Sequence, residues 1–371
     1  MKTPDSMPEN PFKFGRVVNG PYFTNRTEEI RQVTALLNSA NNLVMISPRR
    51  YGKTSLIEHV IGQLNRPSVK IDLQLVTSTE DLAAQIIKRL SRIFPLENMK
   101  QALKNFRIVP AINLNPFTNE LDIAFHSTSS SQPIIEDAVN LIEKLSTPRK
   151  RIIAVFDEFQ EVKRVGKDLD RVLRALMQHH EHVNYVFLGS QESLIRDIFE
   201  NKKSPFYHFG QLMPLNKIPA LDFFDFLALR FNPVTPDYNG IATSILEITQ
   251  SHPYYTQQLA YCVFELIRTA GKTDDPVGKT VSELVRIHDI DYERLWNTLN
   301  ITDKKILIGM SSSTLPPLSD AFAQSFNTGA TSTVFSSLKR LAESGFILKS
   351  ETGYEIDDPF FKRWITQRRN R

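Results

Sequence analysis

With 371 residues, 41% hydrophobic and 23% charged, the chain has an ordinary globular composition and length for roughly two or three domains. A net charge of +4 is too small to argue for nucleic acid, and no uninterrupted apolar run is long enough to span a membrane. Cys262 is the only cysteine, so no intrachain disulfide forms, which fits a reducing cytoplasm.

The first residues, Met1 to Pro11, are polar and proline-rich, unlike a signal peptide, and residues 1–19 read as an N-terminal extension. A helix then starts near Thr27-Glu28-Glu29 and runs through Val33, Leu36 and Leu37, with Asn25 or Thr27 as cap. Leu43 to Ile46 reads as a short buried strand. The turn Ser47-Pro48-Arg49-Arg50-Tyr51-Gly52 follows, and Lys53-Thr54-Ser55 open an apolar-periodic helix through Leu56, Ile57 and Val60. Strand, turn and helix in this order are the layout of a phosphate-binding P-loop. Backbone N–H groups and the positive end of a helix would surround a phosphate chain. Lys53 would place an ammonium on the β/γ oxygens, and Thr54 would offer its hydroxyl to Mg²⁺. Ser47 stands where the pattern has its first glycine, which is required only if that residue needs a positive φ.

A second strand is expected over Ser68–Leu73 and a helix over Asp81–Phe94. A hairpin follows around Asn115-Pro116-Phe117-Thr118-Asn119, at the edge of the sheet. Ser127 to Gln132 reads as a polar loop and Ile134–Leu145 as a helix. The unbroken apolar run Ile152–Phe156 predicts a central parallel strand, with Asp157 and Glu158 at its carboxyl end, where open α/β sheets bind ligands. Asp157 would hold Mg²⁺, while Glu158 would orient and partly deprotonate an attacking water. The alternative is an acidic pair capping the next helix, beside Gln160 and Glu161. After a helix over Leu169–His180, Val183–Gly189 predicts another buried strand ending in Ser190 and Gln191. Either residue could sense a γ-phosphate, or Ser190 could simply cap the following helix.

From Ala220 the pattern is helix after helix, through Ile241–Thr249 and from Ser251 to Leu266, which reads as a small helical lid. Three further helices, the last carrying Val334, Leu338, Leu341 and Ala342 on its apolar face, lead into strands at Gly345–Ser350 and Gly353–Ile356. That order suggests a winged helix. Its third helix would expose Thr331, Thr333, Ser336, Ser337, Lys339 and Arg340, a thin electrostatic footprint for DNA. Winged helices also serve as protein-contact modules. The basic end Lys362, Arg363, Arg368, Arg369 and Arg371 reads as a solvated, frayed tail.

Together these motifs resemble the archaeal-type P-loop ATPases, grouped with the STAND signal-transducing ATPases and distantly related to AAA+ proteins. The resemblance rests on Phe23-x-x-Arg26-x-x-Glu29, the Ser47–Ser55 loop, Asp157-Glu158-Phe159-Gln160 and Leu188-Gly189-Ser190. It rests also on His252-Pro253-Tyr254-Tyr255 and on Tyr354-x-Ile356-x-Asp358-Pro359-x-Phe361. It implies an α/β P-loop NTPase core with a parallel sheet (residues 20–215), a helical lid (216–290) and a C-terminal winged-helix domain with its tail (291–371). ATP and Mg²⁺ are the implied cofactors. Phe23 and Arg26 would lie near the adenine, and His252-Pro253 would close over the nucleotide, although His252 also suits a helix cap. Many relatives carry an arginine after Ser204-Pro205-Phe206-Tyr207 that could reach a neighbour's γ-phosphate. Here the residue is His208, so slow turnover is implied, with Arg49 and Arg50 as alternatives within the loop. The expected function is a cytoplasmic ATP-binding switch with weak Mg²⁺-dependent ATPase activity, coupling nucleotide state to lid and winged-helix docking. Expected partners are ATP, a protein, DNA through the winged helix, and further copies of the chain in a nucleotide-dependent manner. The competing reading is a winged-helix DNA-binding regulator in which nucleotide is structural.

Overall fold

The computed structural model describes residues 8–114, 121–125, 131–271, 273–350 and 353–369. The expected turn at Asn115–Asn119, most of the polar loop that ends at Gln132, the first seven residues and Arg371 lie outside them. The chain divides into two compact units, one from Arg26 to Asn216, the other formed by the segment up to Asn25 with Lys217–Arg371.

The described residues of the first unit form strands β1 (Leu43–Ile46), β2 (Ser68–Asp72), β3 (Ala111–Leu114), β4 (Leu121–Ala124), β5 (Ile152–Asp157), β6 (Val183–Gly189) and β7 (Gln211–Pro214). Five form one parallel sheet in the order β2-β5-β6-β1-β7. β1 and β6 are buried throughout and almost wholly apolar, as a parallel sheet covered on both faces requires. The order sets β1 directly beside β6 and β6 beside β5, so the P-loop, Ser190 and the Asp157-Glu158 pair leave the sheet from adjacent strand ends. β7 carries no clear sequence signal, since it is a four-residue edge strand ending in Pro214. β3 and β4 pair antiparallel as expected, but as a separate ribbon rather than at the edge of the main sheet.

Beneath the acidic strand end the core is aromatic. The Phe159 ring centroid lies 4.6 Å from that of Phe187 and 5.1 Å from that of Phe206, and Phe156 stacks on Phe187 at 6.1 Å. These fully buried rings anchor the segment that carries Glu158.

In the second unit, helices Ala220–Phe231, Tyr238–Thr249 and Pro253–Ala270 lead through Pro276–Ile287 and Asp289–Asn297 to the winged helix. The latter comprises Ile301–Ser312, Asp320–Phe326, Thr331–Glu343, the antiparallel pair β8 (Ile347–Ser350) and β9 (Gly353–Ile356), and Pro359–Arg369. Lid and winged helix share one apolar core that includes Phe223, Leu259, Phe322, Leu338 and Trp364. Polar ties reinforce it: Lys217 Nζ donates to Glu355 at 2.8 Å and Tyr292 Oη to Asp358 at 3.0 Å. Phe12, in the expected extension, is fully buried in the same core.

Two expectations for the winged helix are corrected. Ser337 is 1% exposed rather than on the open face of Thr331–Glu343, because it follows the apolar stripe of Val334, Leu338 and Leu341. As far as Arg369 the basic tail is ordered helix rather than a frayed end, with Trp364 Nε1 donating to Asp289 at 2.7 Å, Arg368 paired with Asp289 at 3.1 Å and Arg369 bonded to Glu293.

Candidate nucleotide site

Two left-handed residues shape the loop after β1: Arg50 at φ 66° and Gly52 at φ 90°. The Gly52 conformation strains any side chain, which accounts for glycine at the start of the helix Lys53–Leu64. Ser47 is not in the left-handed region, so serine replaces the pattern's first glycine without backbone strain. Its N–H donates to the Gly189 carbonyl at 3.3 Å, tying the loop to the end of β6. Gly189 in turn has no room for a side chain, since a Cβ there would stand 2.1 Å from Ile195 Cγ1.

Lys53 is 7% exposed, and its ammonium donates to the Ser47 carbonyl at 2.8 Å, the Pro48 carbonyl at 3.0 Å and the Ser47 hydroxyl at 3.3 Å. Among the described residues no carboxylate forms an ion pair with it, so a buried cation meets only neutral oxygens. An anion suits such a group. Burial pushes its pKa down to about 8, against the opposing pull of Glu158 and Asp157. Thr54 Oγ1 donates to Asp157 Oδ2 at 3.0 Å, joining the loop to β5. Burial raises the Asp157 pKa, partly offset by that hydrogen bond. A hydroxyl beside a carboxylate is a hard-oxygen set suited to Mg²⁺, which keeps several waters and phosphate oxygens of its own. No group of three or more His, Cys, Asp or Glu residues that could hold a metal ion occurs among the described residues.

Glu158 adopts φ 51°, an uncommon conformation for a non-glycine residue. Its Oε2 accepts from the Ser190 hydroxyl at 2.6 Å and from Gln160 Nε2 at 2.5 Å. The structure therefore gathers Lys53, Thr54, Asp157, Glu158 and Ser190 at one end of the sheet. Gln160, which closes the Asp157-Glu158-Phe159-Gln160 motif but was given no role in the site, belongs to this group. Gln191 makes no side-chain cap on the helix it precedes, Glu192–Glu200.

Arg26 is buried, donating to Glu29 at 2.7 Å and to the Tyr51 carbonyl at 3.2 Å, so it braces the P-loop from the helix Thr27–Asn38. Pro48 and Ser55 are half-buried, while Arg49 and Arg50 are exposed. Phe23, His252 and Pro253 belong to the other compact unit. There His252 is buried and caps the helix Pro253–Ala270, its Nδ1 accepting from the Tyr254 N–H at 3.2 Å, while Nε2 lies 3.4 Å from Asp357. Arg340, a candidate DNA contact, instead donates twice to the buried carboxylate of Asp303, at 2.6 and 3.0 Å.

The Lys53 environment gives a pH prediction. A phosphate chain selects the protonated amine, and the free protein loses that proton near pH 8. A ligand carrying a phosphate chain should therefore bind with flat affinity below about pH 8 and more weakly above it, by up to about tenfold per pH unit. Calorimetric titrations between pH 7 and 9.5 check this, with Lys53→Arg as a control that stays flat. A wild-type affinity that holds constant across the range contradicts the protonation account.

The model of an ATPase domain predominantly from Archaea matches residues 23–259, and that of a probable winged helix domain matches residues 290–367. No curated protein matches the chain. Among solved structures, it is similar to a Walker-type ATPase of Pyrococcus abyssi, at 19% identity and a TM-score of 0.64, over 93% of this chain and 96% of that one. It is also similar to the Orc2 protein of Aeropyrum pernix in ADPNP and ADP complexes (14% identity, TM-score 0.56, 95% and 96% covered). A third likeness is to the Orc1 protein of the same organism in complex with DNA (13%, 0.50, 93% and 93%). The chain thus belongs to the ATPase family found predominantly in Archaea, with a parallel P-loop sheet and a C-terminal winged helix.

Proposed function

We propose that this protein is a cytoplasmic ATP-binding switch that hydrolyses ATP slowly with Mg²⁺. The observation that carries the reading is the Thr54–Asp157 hydrogen bond of 3.0 Å, next to a buried Lys53 with no acidic partner among the described residues. Lys53 binds the β/γ oxygens, and Thr54 and Asp157 would hold Mg²⁺, which when bound neutralises charge on the phosphates. Glu158 orients the attacking water and takes its proton, while Ser190 and Gln160 fix its carboxylate. His208 in place of an arginine supports slow turnover, since it offers no permanent cation.

Arg26 braces the loop from the helix Thr27–Asn38 through the Tyr51 carbonyl in this reading. Because lid and winged helix share a core, they respond to nucleotide as one body. The relative that was solved with DNA raises a nucleic-acid role, yet Arg340, Arg368 and Arg369 here pair with acidic residues of their own unit. A docking surface for protein is the better reading of the winged helix. Lys53→Ala tests the site: ATP affinity should fall by roughly ten- to a hundred-fold in calorimetry, the loss of one charge-assisted contact. Unchanged affinity in a folded variant overturns the assignment.

A further inference from the structure

The proposed activity does not use the serine at the start of the phosphate loop. Ser47 is 3% exposed and sits in an ordinary backbone conformation, so its presence is not a response to strain. The Lys53 ammonium has three protons, and three acceptors meet them. Ser47 supplies two, its carbonyl at 2.8 Å and its hydroxyl at 3.3 Å, and the Pro48 carbonyl supplies the third at 3.0 Å. The same hydroxyl donates to the Pro48 carbonyl at 3.2 Å, closing a ring through Lys53, Ser47 and Pro48. A glycine would leave the ammonium its carbonyls but no hydroxyl. The loop thus offers its own acceptors to the cation, and a phosphate chain competes with them for Lys53. Each acceptor the loop provides lowers the net affinity for a ligand that recruits the ammonium.

We propose that Ser47 is a positioning residue whose hydroxyl competes with phosphate for Lys53 and so sets the affinity for nucleoside di- and triphosphates. The inference rests on the nucleotide reading above. It predicts a dependence on ligand class, because a nucleoside monophosphate has no β-phosphate with which to recruit Lys53.

The test is a double-mutant cycle of Ser47→Ala and Lys53→Ala in the full chain, titrated with ATP, ADP and AMP. Ser47→Ala should bind ATP and ADP about three- to tenfold more tightly than wild type, the scale of one hydrogen bond to a charged group, and bind AMP as before. On the Lys53→Ala background the same substitution should change nothing. Ser47→Gly, with circular dichroism as a check of folding, repeats the test without the Cβ. ATP affinity that is unchanged or weaker in both folded Ser47 variants overturns the proposal. So does tightening that extends to AMP or persists without Lys53. If Lys53→Ala alone leaves ATP affinity intact, the nucleotide reading itself fails.

Discussion

Replacing Glu158 with glutamine should leave ATP binding intact and lower phosphate release by roughly a hundred-fold or more, because the amide keeps the shape but could not accept the proton of the attacking water. Three features support a separable effect. Glu158 makes no direct hydrogen bond to Lys53 or Thr54, which bond instead to Ser47, Pro48 and Asp157. Its carboxylate is held from its own strand end and from β6, through Gln160 and Ser190. The aromatic cluster around Phe159 keeps the segment in place when one hydrogen bond is exchanged. Nucleotide titration with Mg²⁺ and a phosphate-release assay on the same preparation check both halves. Equal release by wild type and variant would make Glu158 a structural cap at the turn after β5. Loss of binding together with turnover would mean that the carboxylate shapes the loop.

Much of this site was legible because its parts obey local rules. Four buried apolar residues, a turn with Gly52 and an amphipathic helix must form strand, turn and helix. Ile152–Phe156 has to be central because it carries no polar residue to face solvent. What escaped depended on contacts between residues distant in sequence. The adjacency of β1, β6 and β5 that brings Ser190 to Glu158 is a property of strand order, which local periodicity does not contain. Arg340 looked available for DNA, because a helical pattern shows which face it occupies but not that Asp303 lies across from it. The same limit applies to Arg368 and Arg369, whose acidic partners lie on the helix Asp289–Asn297. Lid and winged helix read as separate modules because each has its own helical rhythm, whereas their shared core appears only when side chains are packed.

The N-terminal segment shows the limit most plainly and leads to the second large effect, in stability. Phe12 lies among Asn10, Pro11, Lys13 and other residues without periodicity, so nothing local marks it as core. Its ring nevertheless packs at 5.1 Å from Phe231, 6.0 Å from Phe264 and 6.1 Å from Phe226, all in the lid. Asn10 fixes the approach, donating to the Tyr261 carbonyl at 3.1 Å and to Glu265 at 2.8 Å, and accepting from the Phe12 N–H at 3.0 Å. Phe12→Ala empties a fully buried ring site whose walls are rigid aromatics, so collapse around the cavity is limited. Such truncations cost about 3–5 kcal/mol. The loss falls on the unit that contains the lid and winged helix, while the P-loop unit has its own core. Denaturant unfolding followed by tryptophan fluorescence reads that unit selectively, because Trp296 and Trp364 are the only two tryptophans and both lie within it. The expected result is a midpoint shifted to lower denaturant, with ATP affinity retained under conditions where the variant is folded. A change below about 1 kcal/mol, the scale of an ordinary surface substitution, would show that the segment only lies against the lid and is no part of its core.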